Sequence, residues 1–168
     1  MSNYHVPVML KGCIDGLNIK PGGVYVDVTY GGGGHSKAIL NQLDEKGTLL
    51  AFDQDADAVK NVMDDKRLFM CEANFKYLEN FCAYYGVGQL DGLLADLGVS
   101  SHHLNDAERG FSFRFEDAPL DMRMNQALAS SASKVLNGYA HPQLAKVLRS
   151  YGDLSKASAM ATAIVNYR

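Results

Sequence analysis

The feature that most constrains this chain is the alternation of short apolar runs with helical stretches from residue 24 to residue 96. Val24-Tyr25-Val26-Asp27-Val28 predicts a buried strand, entered through the turn Pro21-Gly22-Gly23. Residues 36–43 predict a helix, 48–52 a second strand and 56–63 a second helix. A third strand follows at 68–71. A third helix over 74–85 has Phe75, Leu78 and Phe81 at helical spacing, and a fourth strand over 90–95 ends at Asp96. Strands that alternate with helices across connections of a few residues predict an α/β fold. Its parallel sheet would carry helices on both faces, joined by right-handed crossovers.

The pattern breaks after Asp96. Residues 97–125 hold turn residues, arginines and aromatics without a sustained helical period. A segment rich in Ala and Ser then predicts helices at 133–139, 142–151 and 154–167. The expected division is therefore a doubly wound portion, 1–125, and a helical segment, 126–168. A length of 168 residues suits one domain with a small appendage.

Composition narrows the class. No apolar run approaches the ~20 residues of a membrane span, so no membrane partner is expected. Met1-Ser2-Asn3-Tyr4-His5 lacks the basic and apolar stretches of a signal peptide. Cys13, Cys71 and Cys82 are odd in number and lack C-x-x-C spacing, which argues against disulfides and zinc and suits a reducing cytoplasm. The formal net charge of -3 alone argues against a nucleic-acid binder, but the charge is uneven. Residues 1–124 carry 11 basic and 18 acidic side chains. Residues 125–168 carry Lys134, Lys146, Arg149, Lys156 and Arg168 against Asp153. Such a basic end either steers a polyanion or is simply a solvated helix face.

The chemistry lies at strand ends. Gly31, Gly32, Gly33 and Gly34 separate the first strand from the first helix, where a doubly wound fold brings its backbone close to a ligand. Asp53 closes the second strand 22 residues after Gly31, placed to accept hydrogen bonds from both hydroxyls of a ribose. These two features together point to a nucleoside cofactor. The dinucleotide fingerprint G-x-G-x-x-G is incomplete, because Ser36 stands at its third glycine. That makes an NAD-type dehydrogenase the second reading and S-adenosyl-L-methionine, which has no pyrophosphate, the first. Asp96, after the fourth strand, is either a cofactor or substrate ligand or a loop-bracing cap.

Phe111, Phe113 and Phe115 alternate with polar residues. Buried strand packing is the expectation for them, with stacking on bases as the other reading. His102 and His103 are adjacent, so in an extended chain they point apart and no metal site is expected. His5 and His141 carry no pattern.

The segments Tyr4-His5-Val6-Pro7-Val8-Met9-Leu10, Asp27-Val28-Thr29-Tyr30-Gly31-Gly32-Gly33-Gly34-His35-Ser36 and Phe52-Asp53-Gln54-Asp55 are joined by Asp96-Leu97-Gly98-Val99-Ser100-Ser101, Arg109-Gly110-Phe111-Ser112-Phe113 and Pro119-Leu120-Asp121-Met122-Arg123-Met124. Together they resemble the bacterial ribosomal RNA small-subunit methyltransferase H family, also called MraW, over nearly the whole chain. The resemblance implies a Rossmann-like class I methyltransferase sheet followed by a helical insertion. It implies methyl transfer from S-adenosyl-L-methionine to the N4 amine of a cytidine in small-subunit ribosomal RNA, with that RNA or the 30S subunit as partner. Cofactor contacts would fall on Gly33, Gly34, His35, Asp53, Phe75 and Asp96, and Asp96 is the candidate catalytic acceptor for the amine hydrogens. The family places a further contact on a glutamine after Asp96. Here His103 stands in that place, and His102 where proline is usual.

Family members are longer, with later strands that complete the sheet. The resemblance therefore implies that this chain alone exposes residues 90–95 as an edge, forms a homo-oligomer or aggregates, and binds cofactor without turnover. A truncated binding module is the third reading.

If the basic helices face RNA, reversing Lys146 and Arg149 together to glutamate weakens RNA binding. The slope of log K against log salt also falls by about one to two. Anisotropy titrations at several salt concentrations measure this. Equal affinities and slopes would show that these charges are only solvated.

Overall fold

The computed structural model describes residues 7–168. Residues 1–5, read above for a signal peptide, and the Tyr4-His5-Val6 part of the first motif lie outside the described residues. The described residues form two compact units, one running to Ser100 and the other from Ser101 to Arg168.

In the first unit the order is α1 (Leu10–Leu17), β1 (Val24–Asp27), α2 (Gly34–Leu40), β2 (Thr48–Asp53), α3 (Ala56–Val59), β3 (Leu68–Glu72), a 3-10 turn (Phe75–Tyr77) leading into α4 (Leu78–Tyr84), and β4 (Gly92–Leu94). All strand pairings are parallel, in the sheet order β3-β2-β1-β4. Val26 is in register with Leu50 on one side and Leu93 on the other. The expected α/β fold is therefore observed. Among the described residues β4 pairs only with β1, so it is an outer strand, as expected for 90–95.

Both faces of this sheet are covered, which is why β1 and β2 are apolar almost without interruption. Alternate residues point to opposite faces. Tyr25 and Leu49 pack with Ile14, Ile39 and Leu40 of α1 and α2. Val26, Leu50 and Phe52 pack on the other face with Leu78 and Phe81 of α4. The Phe81 ring meets Phe52 edge-on, with centroids 5.3 Å apart. Sequence reading missed α1, although Leu10, Ile14 and Leu17 have the i, i+4, i+7 spacing of one helical face.

The helix expected over 56–63 stops at Val59. The Met63 amide donates to the Tyr30 hydroxyl (3.2 Å), and that hydroxyl donates to the Asn61 carbonyl (3.2 Å). The backbone groups that would continue α3 are spent on a side chain from the turn that follows β1. The helix expected over 74–85 opens as a 3-10 turn, because the Asn74 side chain accepts the Lys76 amide (3.0 Å).

The second unit holds α5 (Ser101–Asn105), a 3-10 turn (Ala107–Arg109), α6 (Ala132–Gly138), α7 (His141–Gly152) and α8 (Ala157–Tyr167). Leu144, Ala145 and Ala161 are its core, with Val135, Leu136 and Ile164 packed around them. The segment before α6 belongs to this unit. Its carbonyls at Asp121 and Leu120 accept the Ala132 and Ser133 amides, both at 2.8 Å. The compact division thus falls at Ser100, ahead of the compositional break near Asn125.

Two local expectations are corrected here. Residues 111–115 are not a buried strand: Phe113 is fully exposed (103%), and no strand is assigned there. The Ser112 hydroxyl accepts both the backbone amide and Nε of Arg114 (3.2 Å each), a local turn that breaks the extended alternation. His102 and His103 are not in extended chain either but follow one another on α5. Among the described residues no group of three or more His, Cys, Asp and Glu is arranged to hold a metal.

Candidate functional site

In the first unit, the carboxyl ends of β1, β2 and β4 are knit together by the chain leaving β1. The Val28 amide donates to the Leu94 carbonyl (3.0 Å) and the Tyr30 amide to the Phe52 carbonyl (2.9 Å). The backbone then turns into α2. The Gly33 amide closes the turn on the Tyr30 carbonyl (2.7 Å). Gly33 has φ +73, and a Cβ there would come within 2.7 Å of the Tyr30 hydroxyl. At Gly34, the first residue of α2, a Cβ would overlap the Pro7 ring. Both positions therefore require glycine, one for its backbone conformation and one for close approach.

Asp53 stands at the end of β2 and is partly exposed. Its Oδ2 accepts the Gly31 amide (2.8 Å) and its Oδ1 the Asp55 amide (2.9 Å). A carboxylate has about four lone-pair sites, so each oxygen keeps capacity for a further donor. The Asn74 side chain donates to the Gln54 side chain (3.1 Å), which ties the loop after β3 to the residue following Asp53. Phe75 comes next in that loop and is 43% exposed.

Beneath the turn lies a pair that sequence reading missed. Asp27, the last residue of β1, is fully buried. It accepts a hydrogen bond from the Ser36 hydroxyl (2.7 Å) and another from the Thr29 amide (3.0 Å). Burial pushes its carboxyl above the ordinary carboxylate range, while the bonds from Ser36 and Thr29 and the nearby His35 pull it back down. Ser36 reads in the sequence only as a glycine that is missing. Its neighbour nine residues earlier, an acid inside an apolar strand, was the available signal.

Asp96 leaves β4 with its amide donating to the Thr29 hydroxyl (2.8 Å). Its side chain is 58% exposed, and Oδ2 lies 3.9 Å from His35 Nδ1, close enough for charge interaction but too long for a hydrogen bond. His35 is buried, and its Nε2 has no hydrogen-bond partner among the described residues. After Asp96 the apolar side chains of Leu97 and Val99 are exposed.

Gly33, Gly34, His35, Asp53, Phe75 and Asp96 thus all fall at the carboxyl side of one sheet, the side on which open α/β folds bind ligands. His103 belongs to the other compact unit, where its ring lies 5.4 Å from that of Phe111.

The sheet order, the glycine turn and the strand-end acid define a Rossmann-like α/β protein. More narrowly, residues 2–168 match the MraW methylase family, and the chain belongs to it. A protein of Phocaeicola vulgatus named ribosomal RNA small subunit methyltransferase H is 54% identical over 165 residues, covering 98% of this chain and 54% of the relative. A protein of the same name from Porphyromonas gingivalis is 54% identical over 167 residues, covering 99% and 54%. One from Christiangramia forsetii is 53% identical over 168 residues, covering 100% and 55%. The chain spans about half the length of the curated relatives it matches.

The buried Asp27 makes two measurable differences. Ser36→Ala removes its hydroxyl donor and costs about 1–3 kcal/mol of stability in urea unfolding. Because the folded pKa of Asp27 is raised, its contribution to stability is fully present below the unfolded value, ~3.9. That contribution is lost as pH rises through the folded pKa. Asp27→Asn, which can still accept from Thr29 and donate to Ser36, is free of this loss. Its urea midpoint relative to the parent should rise from about pH 4 toward neutrality. A difference that stays constant with pH would contradict the assigned cause.

Proposed function

We propose that this chain binds S-adenosyl-L-methionine and forms the cofactor-binding part of an enzyme. That enzyme methylates the N4 amine of a cytidine in small-subunit ribosomal RNA, free or within the 30S subunit. The observation that carries the reading is the link from Asp53 Oδ2 to the Gly31 amide. It fixes a carboxylate with unused lone pairs beside a glycine turn, at the height of a ribose. The names of the relatives support the substrate class.

The residues present fit the cofactor. Asp53 accepts the two ribose hydroxyls. Phe75, Leu97 and Val99 offer exposed apolar surface for a purine ring. The buried, unpartnered Nε2 of His35 needs a polar group, and the charged amino-acid end of the cofactor supplies one. Gly33 and Gly34 keep that approach open. Ser36 counts against a dinucleotide: its side chain fills the place a third glycine would leave for close packing and is bonded to Asp27. The family match also favours methyl transfer over the dehydrogenase alternative.

When bound, the cofactor supplies an electrophilic methyl group on a sulfonium. The residues of the chain have to hold the acceptor. A cytosine amine is a weak nucleophile, because its lone pair is delocalised into the ring. The partly exposed carboxylate of Asp96 accepts one amine hydrogen and turns the nitrogen toward the methyl. Thr29 holds the Asp96 backbone in place through its hydroxyl. Positioning of this kind lowers the barrier without any covalent step by the protein. The base must first leave its stack.

Calorimetry on the chain tests this reading. S-adenosyl-L-methionine binds and NAD does not, and Asp53→Ala weakens binding roughly 10- to 100-fold, the loss of a charge-assisted hydrogen bond. Comparable binding of NAD, or unchanged affinity in Asp53→Ala, would overturn it.

A further inference from the structure

We propose that Gln54 and Asn74 are positioning residues for the cofactor. Their side chains form a clamp that fixes Phe75, the wall for the purine ring, relative to Asp53, the acid for the ribose. The inference rests on the S-adenosyl-L-methionine site proposed above. It adds to that site two residues that act through the two on either side of the nucleoside.

The need for a clamp follows from where the sheet ends. β2 and β3 run parallel and stay in register up to the pair Asp53 and Glu72, the last residue of each strand. Beyond that pair the ladder stops and the chain turns away, with the Ala73 amide donating to the Cys71 carbonyl (2.8 Å). Phe75 lies past this turn, whereas Asp53 is still on its strand. Backbone pairing therefore does not set the gap between them, and side chains have to.

Asn74 supplies both halves of the connection. Its Oδ1 accepts the Lys76 amide and its carbonyl accepts the Tyr77 amide, both at 3.0 Å, which winds Phe75–Tyr77 into the 3-10 turn. Its Nδ2 donates to Oε1 of Gln54 (3.1 Å). Gln54 lies inside the turn that Asp53 closes by accepting the Asp55 amide on Oδ1 (2.9 Å). One amide side chain thus shapes the turn that carries Phe75 and anchors it to the turn that carries Asp53. Both members of the clamp are half-buried, so their bond is partly shielded from competing water. A single bond joins base to ribose in a nucleoside, so the ligand itself absorbs little error in the gap. Setting the gap in advance spares the cost of ordering two loops on binding.

The test is calorimetric titration of the full chain with S-adenosyl-L-methionine. Gln54→Met keeps the side-chain length and removes the acceptor. It should raise Kd roughly 3- to 10-fold, the effect of one neutral hydrogen bond. Asn74→Ser, which can still cap the 3-10 turn but is too short to reach Gln54, should do the same. Gln54→Glu, which still accepts from Asn74, should keep the parent's affinity. Adding Gln54→Met to Phe75→Ala should weaken binding no further than Phe75→Ala alone, because no ring is left to place. Unchanged affinity in Gln54→Met and Asn74→Ser, with Asp53→Ala still impaired, overturns the clamp and leaves the cofactor site standing. A loss that Gln54→Glu shares, or that adds in full to that of Phe75→Ala, also overturns it, since the bond would then act elsewhere in the fold. A parent chain that binds no S-adenosyl-L-methionine overturns the clamp together with the proposed site.

Discussion

The hydrogen bond from Ser36 to the buried carboxyl of Asp27 holds the rest of the site in place. One partner ends the strand that lies between β2 and β4, and the other is the third residue of the helix that follows. Their 2.7 Å contact sets where α2 begins and therefore where the glycine turn must cross above the sheet. An acid in an apolar interior is costly unless its oxygens are occupied. Ser36 and Thr29 occupy them, so the turn cannot drift without leaving a buried carboxyl exposed to its own desolvation. The other strand-end contacts are built on this one. Asp53 reaches Gly31, and Asp96 hangs from Thr29, the same residue whose amide serves Asp27.

The architecture was legible in the sequence because burial on both faces of a parallel sheet leaves a plain record. The runs at 24–28 and 48–52 have no charged interruption except Asp27, and the intervening segments are of helix length. Asp53 and the four glycines were legible for the same reason, since a doubly wound fold sends strand ends and ligands to one place. Less legible were features set by side chains reaching across the fold. Tyr30 shortens α3 from more than 30 residues away in the chain, and no local propensity at 60–63 announces it. Ser112 turns residues 111–115 out of the extended conformation that alternating aromatics suggest. The compact division at Ser100 is not announced by composition for a similar reason: the segment 101–125 looks like a loop on the sheet, yet its carbonyls bond to the start of α6.

Ser36 also shows how one position separates two kinds of cofactor site on similar scaffolds. A glycine there lets helix and strand pack closely beneath a pyrophosphate. A serine with no exposed surface fills that space and gives the strand acid a donor. The helix start is then built around an internal acid, and in the function proposed for the chain, recognition of the ligand falls to Asp53, His35 and Asp96.

Tyr30 binds distant positions into one mechanical unit. Its ring sits where a side chain on Gly33 would go, and its hydroxyl serves both the Asn61 carbonyl and the Met63 amide. A side chain at 33 would meet that ring in addition to the strain of a left-handed backbone. A smaller residue at 30 leaves two backbone groups beyond α3 without their partner. The glycine turn and the loop after α3 therefore constrain each other through a single ring, although Gly33 and Asn61 lie 28 residues apart in the chain.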